Sequence, residues 1–193
     1  MNNTGFRELL MRCECSLSDV SLDDQNNVSM VNSDKKVYNF DLFQTRYFHL
    51  FNQRKPLASL DALVENEDDW YFIEFKNGKY DNKVGKSIKE KISPSLLTFL
   101  DVIGETLTFS RKNINFVLVY NAHKNKAYGN LMSKDEIQSS EERNKIKIHL
   151  KSLSKNKSFC LFGLSRYKSV YFRDVFAYNE LEFLRFIEEK AIV

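Results

Sequence analysis

One run of the chain limits the possible folds more than any other: residues 70–76, WYFIEFK, are apolar on both parities. Side chains alternate along a strand, so Trp70 and Phe72 point to one face while Tyr71, Ile73 and Phe75 point to the other. A strand that is greasy on both faces belongs inside a sheet covered on both sides. Residues 57–64, LASLDALV, are apolar enough for a neighbouring strand, and the acidic run ENEDD at 65–69 joins the two as a hairpin. The material for one core is present: 193 residues, 42% of them hydrophobic and 13% aromatic. With 2 Pro and 6 Gly, the chain is neither collagen-like nor Pro-rich, and its apolar content excludes wholesale disorder.

Helical spacing brackets that hairpin. Residues 40–51 place Phe40, Phe43, Tyr47, Phe48 and Phe51 on one stripe, the pattern of a packing helix. Residues 87–103 repeat Ile88, Ile92, Leu96, Leu100 and Ile103, with Pro94 either a kink or, after Ser93, a second start. Residues 115–120, NFVLVY, read as another buried strand, and the stretch after it as loop. Further on, a covering helix is expected over 140–154 and short strands over 159–164 and 169–176. Asn179 with Glu182 three residues later opens a final helix with a capping box. At the other end, 6–13 is a candidate short helix, and the Ser-, Asp- and Asn-rich stretch 16–36 reads as a loop or mobile arm. The sum is a single α/β domain over 1–193: an arm over 1–36, a core over 37–125, and a C-terminal helix, strands and helix over 126–193 that complete a mixed central sheet flanked by helices.

Charge says little in total. Lys and Arg number 29 against 26 Asp and Glu, a net of +3, too small to argue for nucleic acid by itself. The N-terminus lacks a signal-peptide apolar run, no stretch approaches a membrane span, and 3 Cys is an odd count, so a cytoplasmic protein with no membrane partner is expected. Cys13 and Cys15 form a lone C-x-C with no second ligand pair, which reads as ordinary thiols sooner than as zinc ligands.

The residues that call for chemistry are the charges written into apolar strands: Asp61 in LASLDALV, and Glu74 and Lys76 in WYFIEFK. An unpaired buried charge is costly, so each needs a counter-charge or a metal ion. Glu74 and Lys76 share a face, about 7 Å apart at their Cα atoms by the strand rise. If Asp61 lies across the hairpin on that face, two carboxylates converge where one lysine reaches, a set of hard oxygen donors of the kind Mg²⁺ takes.

This pattern resembles the PD-(D/E)xK nuclease superfamily, with its restriction-endonuclease-like fold. Asp61, a twelve-residue gap, then Glu74-Phe75-Lys76 on the strand after a hairpin, followed by a helix, carry the likeness. More locally, SLDALVENEDDWYFIEFKNGK is similar to uncharacterised bacterial members in which a D-A-hydrophobic strand leads to an I-E-F-K-N-G strand. By order of elements the resemblance covers about residues 40–125 and is tightest over 57–79; it departs at Leu60, where the pattern has Pro, a change the superfamily tolerates. It implies that Asp61 and Glu74 bind Mg²⁺ or Mn²⁺, with the Phe75 carbonyl as a further ligand. Lys76 would orient or activate the attacking water and offset phosphate charge, and the reaction would be phosphodiester hydrolysis on DNA. Members often add an acid from the first helix; Asp41 is the nearest candidate, with Glu8 and Glu14 as others and Gln44 as a polar neighbour. A double-strand cut needs two sites, which makes a homodimer the natural carrier.

Each reading has a plainer rival. Glu74 and Lys76 also read as a same-face ion pair on an edge strand, with Asp61 solvated near a turn, but the apolar flanks favour the metal site, because WYFIEF does not alternate as an edge strand would. Lys83, Lys86, Lys89 and Lys91, next to the proposed metal, are candidates for contacts to the phosphate backbone, as is the run Lys145, Lys147, Lys151, Lys155 and Lys157; a solvated helix face is the alternative for both. Arg166-Tyr167-Lys168 suits nucleic acid or a strand end. His49, His123 and His149 are scattered and form no triad. A catalytically inactive member of the fold, acting as a binding module for nucleic acid or a protein, is the alternative to the enzyme, and a purely structural partner protein is a third class.

Overall fold

The computed structural model describes residues 3–23, 26–53, 55–125 and 163–190. In chain order the elements are α1 (Asn3–Met11), β1 (Glu14–Ser16), α2 (Leu17–Val20), β2 (Leu22–Asp23), β3 (Val28–Ser29), β4 (Lys36–Asn39) and α3 (Phe40–His49). There follow β5 (Ala62–Asn66), β6 (Asp69–Lys76), α4 (Asn82–Ile103), α5 (Leu107–Asn113), β7 (Ile114–Tyr120), a 3-10 turn (Ser165–Tyr167), β8 (Asp174–Asn179) and α6 (Glu180–Glu189).

Six strands form one mixed sheet in the order β1-β4-β5-β6-β7-β8, antiparallel as far as β6 and parallel from β6 through β8. The parallel β6–β7 pair needs a long crossover, and α4 with α5 supplies it. The two parities of β6 fill two separate layers. Trp70 and Phe72 pack with Phe40 and Phe43 of α3, Ile88, Ile92, Leu96 and Phe99 of α4, and Phe6 and Leu10 of α1. Tyr71, Ile73 and Phe75 pack on the other side with Leu17, Val31 and Phe183, Phe186 and Ile187 of α6. The sheet is therefore covered on both faces, as its central strand requires.

Several local expectations need correction. Residues 16–36 are not a loose arm: they contain α2 and the small β2–β3 ladder, and Leu17 and Val31 are buried. Ser16 caps α2 with a capping box, Ser18 Oγ accepts from the Ser33 N–H, and Ser21 Oγ bonds both backbone groups of Val31, so these hydroxyls are structural. β5 begins at Ala62, so Asp61 precedes the strand instead of lying inside it. Side chains, not a strand partner, serve the stretch before it: Gln44 Nε2 donates to the Leu57 carbonyl and Ser95 Oγ accepts from the Leu60 N–H. α4 starts at Asn82, capped by Asp81, and runs unbroken through Pro94 to Gly104, whose φ of 72° suits glycine at a helix end. The strand expected over 169–176 is β8, displaced to Asp174–Asn179, because Ser169 turns the chain in the left-handed region at φ 61°. The capping box of Asn179 and Glu182 opens α6. The helix expected over 140–154 lies outside the described residues, as do residues 159–162 of the strand expected over 159–164, whose described end, Gly163 and Leu164, is not strand. Among the described residues no helix is long and apolar enough to cross a membrane.

Candidate metal centre at the end of the central hairpin

β5 stops one residue short of Asp61, while β6 continues to Lys76, so the last residues of β6 have no strand beside them on that edge. Asp61 fills the gap and is fixed from four directions. Its N–H donates to the Ile73 carbonyl at 3.1 Å, and its carbonyl accepts from the Phe40 N–H at 3.0 Å. Its carboxylate Oδ2 accepts from the Phe75 N–H at 2.7 Å and its Oδ1 from Lys91 Nζ at 2.9 Å. The backbone N–H and C=O of a residue in a strand point to the same edge, so the Phe75 carbonyl faces the side that Asp61 occupies.

Glu74 lies on the other parity, its side chain fully buried under α4. Lys91 Nζ reaches it at 2.9 Å and 3.0 Å, and Lys76 Nζ lies 2.6 Å from its Oε1. The two expected carboxylates thus meet on one ammonium, with the Lys76 amine alongside. Burial pushes the Glu74 carboxyl up to about 7, the Asp61 charge adds to the rise, and Lys91 and Lys76 oppose it. For Lys91, burial works against the charge, but Glu74 and Asp61 outweigh it and raise the ammonium pKa.

A cleft of about 570 Å³ opens at this end of the sheet, lined by Asp41, Asp61, Phe75, Lys76, Asn77 and residues of the N-terminal segment that include Asp19 and Asp23. Asp41, in the first turn of α3, accepts a hydrogen bond from Ser59; burial raises its carboxyl pKa, which Ser59 partly offsets. Of the extra acids suggested by sequence, Asp41 is the one in this cleft. Glu8 borders a different cleft beside Arg12 and His49, and Glu14 pairs with Lys36 at 3.3 Å on β1 and β4. Gln44 is buried with its Oε1 unpartnered.

No family model matches the chain, and no curated protein or solved structure matches it significantly. The site therefore has to be judged on its own donors. Asp61 and Glu74 supply carboxylate oxygens, and the Phe75 carbonyl is a third oxygen on the same edge. That set fits a hard divalent cation, which commonly takes one or two carboxylates and completes its shell with water. Among the described residues no group of three or more His, Cys, Asp or Glu is arranged to hold a metal, so a carbonyl and waters would have to make up the remainder. The point between the acids is taken by Lys91 Nζ. Mg²⁺ sits about 2.0–2.1 Å from its oxygens, so ion and ammonium exclude one another.

Lys91 is the residue that sequence reasoning misplaced, among the basic residues that follow the E-x-K strand. It stands three residues after Ile88 and four before Ser95, both buried on the inner face of α4, a spacing that puts it at the margin of that face without naming its partners. Lys83 and Lys86 are exposed on the first turns of that helix, Lys89 is half-buried, and Lys86 pairs with Glu90 at 3.7 Å. Two of the ENEDD acids serve the fold at the far end of the hairpin, where Glu65 holds Arg7 and Asp69 holds Arg173. Arg166 lies over the Tyr167 ring and Lys168 pairs with Asp174. His49 and His123 are exposed. Cys13 and Cys15 are free, and burial pushes the Cys13 thiol up to about 11. His149 and the lysines from 145 to 157 lie outside the described residues.

Proposed function

We propose that the protein is a divalent-metal-dependent nuclease of the restriction-endonuclease-like fold that hydrolyses phosphodiester bonds of DNA. The observation that carries this reading is the meeting of Asp61 and Glu74 on one cation position with the Lys76 amine bonded to Glu74. An antiparallel hairpin followed by a helix and a parallel strand supports it, because that is the arrangement the resemblance implies. Asp61 and Glu74, with the Phe75 carbonyl, would hold Mg²⁺ or Mn²⁺. Bound there, the ion supplies a lowered pKa for a coordinated water and polarisation of the phosphoryl oxygen. Lys76, at the cleft wall, donates to the attacking oxygen and balances charge growing on the phosphate. Lys83 and Lys86, with Lys89 behind them, contact the flanking backbone, and a homodimer would present two such sites for a double-strand cut.

The second reading, an inactive binding module on the same fold, is favoured by the Lys91 ammonium, which bridges both acids and with Lys76 already balances their charge. Plasmid cutting separates the two. With Mg²⁺ or Mn²⁺ the wild type should cut, and Asp61→Asn and Lys76→Ala should abolish cutting while retaining the wild-type circular dichroism spectrum. Cutting by all three alike belongs to a contaminant and overturns the enzyme. DNA binding without cutting supports the module.

A further inference from the structure

We propose that Lys91 is a displaceable internal cation that competes with the divalent ion for the position between Asp61 and Glu74 and, once displaced, turns toward the substrate phosphate. The inference rests on the nuclease reading. Its basis is exclusion: Nζ lies 2.9 Å from Asp61 Oδ1 and 2.9 and 3.0 Å from the two oxygens of Glu74, so nothing else binds both acids while it stays.

The surroundings make it a gate. Glu74 has no exposed side-chain surface, whereas Lys91 keeps 18% of its own. Asp61, Phe75 and Lys76 line the cleft, and the buried Glu74 carboxylate is held by two ammoniums, Lys76 and Lys91. Lys91 stands at the edge of the buried face of α4, on a flexible stem that can swing without moving the helix. Asp61 does not depend on it for position, since Phe75, Phe40 and Ile73 hold that residue independently. Charge gives the exchange a direction. Asp61, Glu74, Lys76 and Lys91 balance as two acids and two ammoniums. A dication in place of one ammonium leaves one positive charge in excess, which a single phosphodiester anion neutralises. Exchange is thus favoured with substrate present, and the displaced lysine is a positioning residue beside that anion.

Titration of the full chain with Mn²⁺ alone, followed by calorimetry, tests this. Lys91→Met and Lys91→Gln should bind Mn²⁺ tighter than wild type by about ten-fold or more, and Mn²⁺ should raise their melting temperatures further than that of wild type. Since Lys91→Met leaves one negative charge of the pair uncompensated and can fail to fold, the wild type gives a second readout: reductive methylation of Lys91, followed by mass spectrometry, should be slow without Mn²⁺ and several-fold faster with it. Equal affinity in wild type and variants, with methylation unchanged by bound Mn²⁺, overturns the role of Lys91 and leaves the nuclease standing. Binding by the variants alone, with none by wild type at millimolar Mn²⁺ even with a DNA oligonucleotide present, makes the lysine a permanent counter-ion and overturns displacement and nuclease together. Binding by none of them also overturns both.

Discussion

The Phe75 N–H donates to Asp61 Oδ2 at 2.7 Å. A carboxylate here does the work of a missing strand neighbour, so the residue proposed as a metal ligand is also the one that closes the sheet edge. Asp61→Asn keeps an oxygen for Phe75 and removes the charge that faces Lys91; Asp61→Ala removes both. A buried amide left unpaired costs about 1–3 kcal/mol. Asp61→Ala should therefore be less stable than Asp61→Asn by about that amount, while both lose cutting, and urea denaturation beside a plasmid assay checks the pair. Equal stability of the two variants would show that the Phe75 amide finds another partner.

The stripe on α3 divides at Tyr47. Phe72 of β6 lies against Phe40, Phe99 and Phe172, with ring centroids at 4.9, 5.5 and 6.4 Å. Phe51, read from sequence as part of the same packing stripe, lies past the helix end and is 57% exposed. Phe72→Ala should cost about 3–5 kcal/mol, against about 0.5 kcal/mol or less for Phe51→Ala. Thermal unfolding of the two variants measures the contrast.

Lys83 and Lys86 are exposed at the start of the helix that carries Lys91 inward. If they meet phosphates, each substitution to Ala should lower the slope of log affinity against log salt by about 1, measured by fluorescence anisotropy on duplex DNA. Lys86 already has Glu90 within 3.7 Å, so Lys83 should give the larger effect. An unchanged slope for both places the DNA on another face.

What the sequence made legible is the central strand and its consequences. Period and composition at 70–76 required a sheet covered twice, and the pairing of β6 between β5 and β7 under two helical layers follows from it. Alternation places Glu74 and Lys76 on one face, but the approach of Asp61 depends on its position just before β5, where its carboxylate meets the Phe75 N–H at the sheet edge. Lys91 was not legible, because its partners are 30 and 17 residues away, and a lysine at the margin of an apolar helix face reads as solvated unless the opposite surface is known. The 16–36 stretch failed for a related reason. By composition its Ser and Asp residues read as loop formers, whereas Ser16, Ser18 and Ser21 spend their hydroxyls on backbone groups that hold Leu17 and Val31 in the core.

Glu74 makes stability depend on pH in a direction opposite to that of an exposed, paired carboxylate. Burial, reinforced by Asp61, raises its pKa from 4.5 to about 7 in the folded chain, with Lys91 and Lys76 pulling the other way. Between those two values the folded protein holds a proton that the unfolded chain has released. The contribution is therefore fully present below the lower value and is lost as pH rises through the upper one, at up to about 1.4 kcal/mol per pH unit. Glu74→Gln carries a neutral amide at every pH and escapes this loss. Its stability relative to wild type should improve from about pH 5 to about pH 7 and level off above, read from urea denaturation across that range. A difference that stays constant with pH would mean that the two lysines keep Glu74 ionised in the folded state and outweigh its burial.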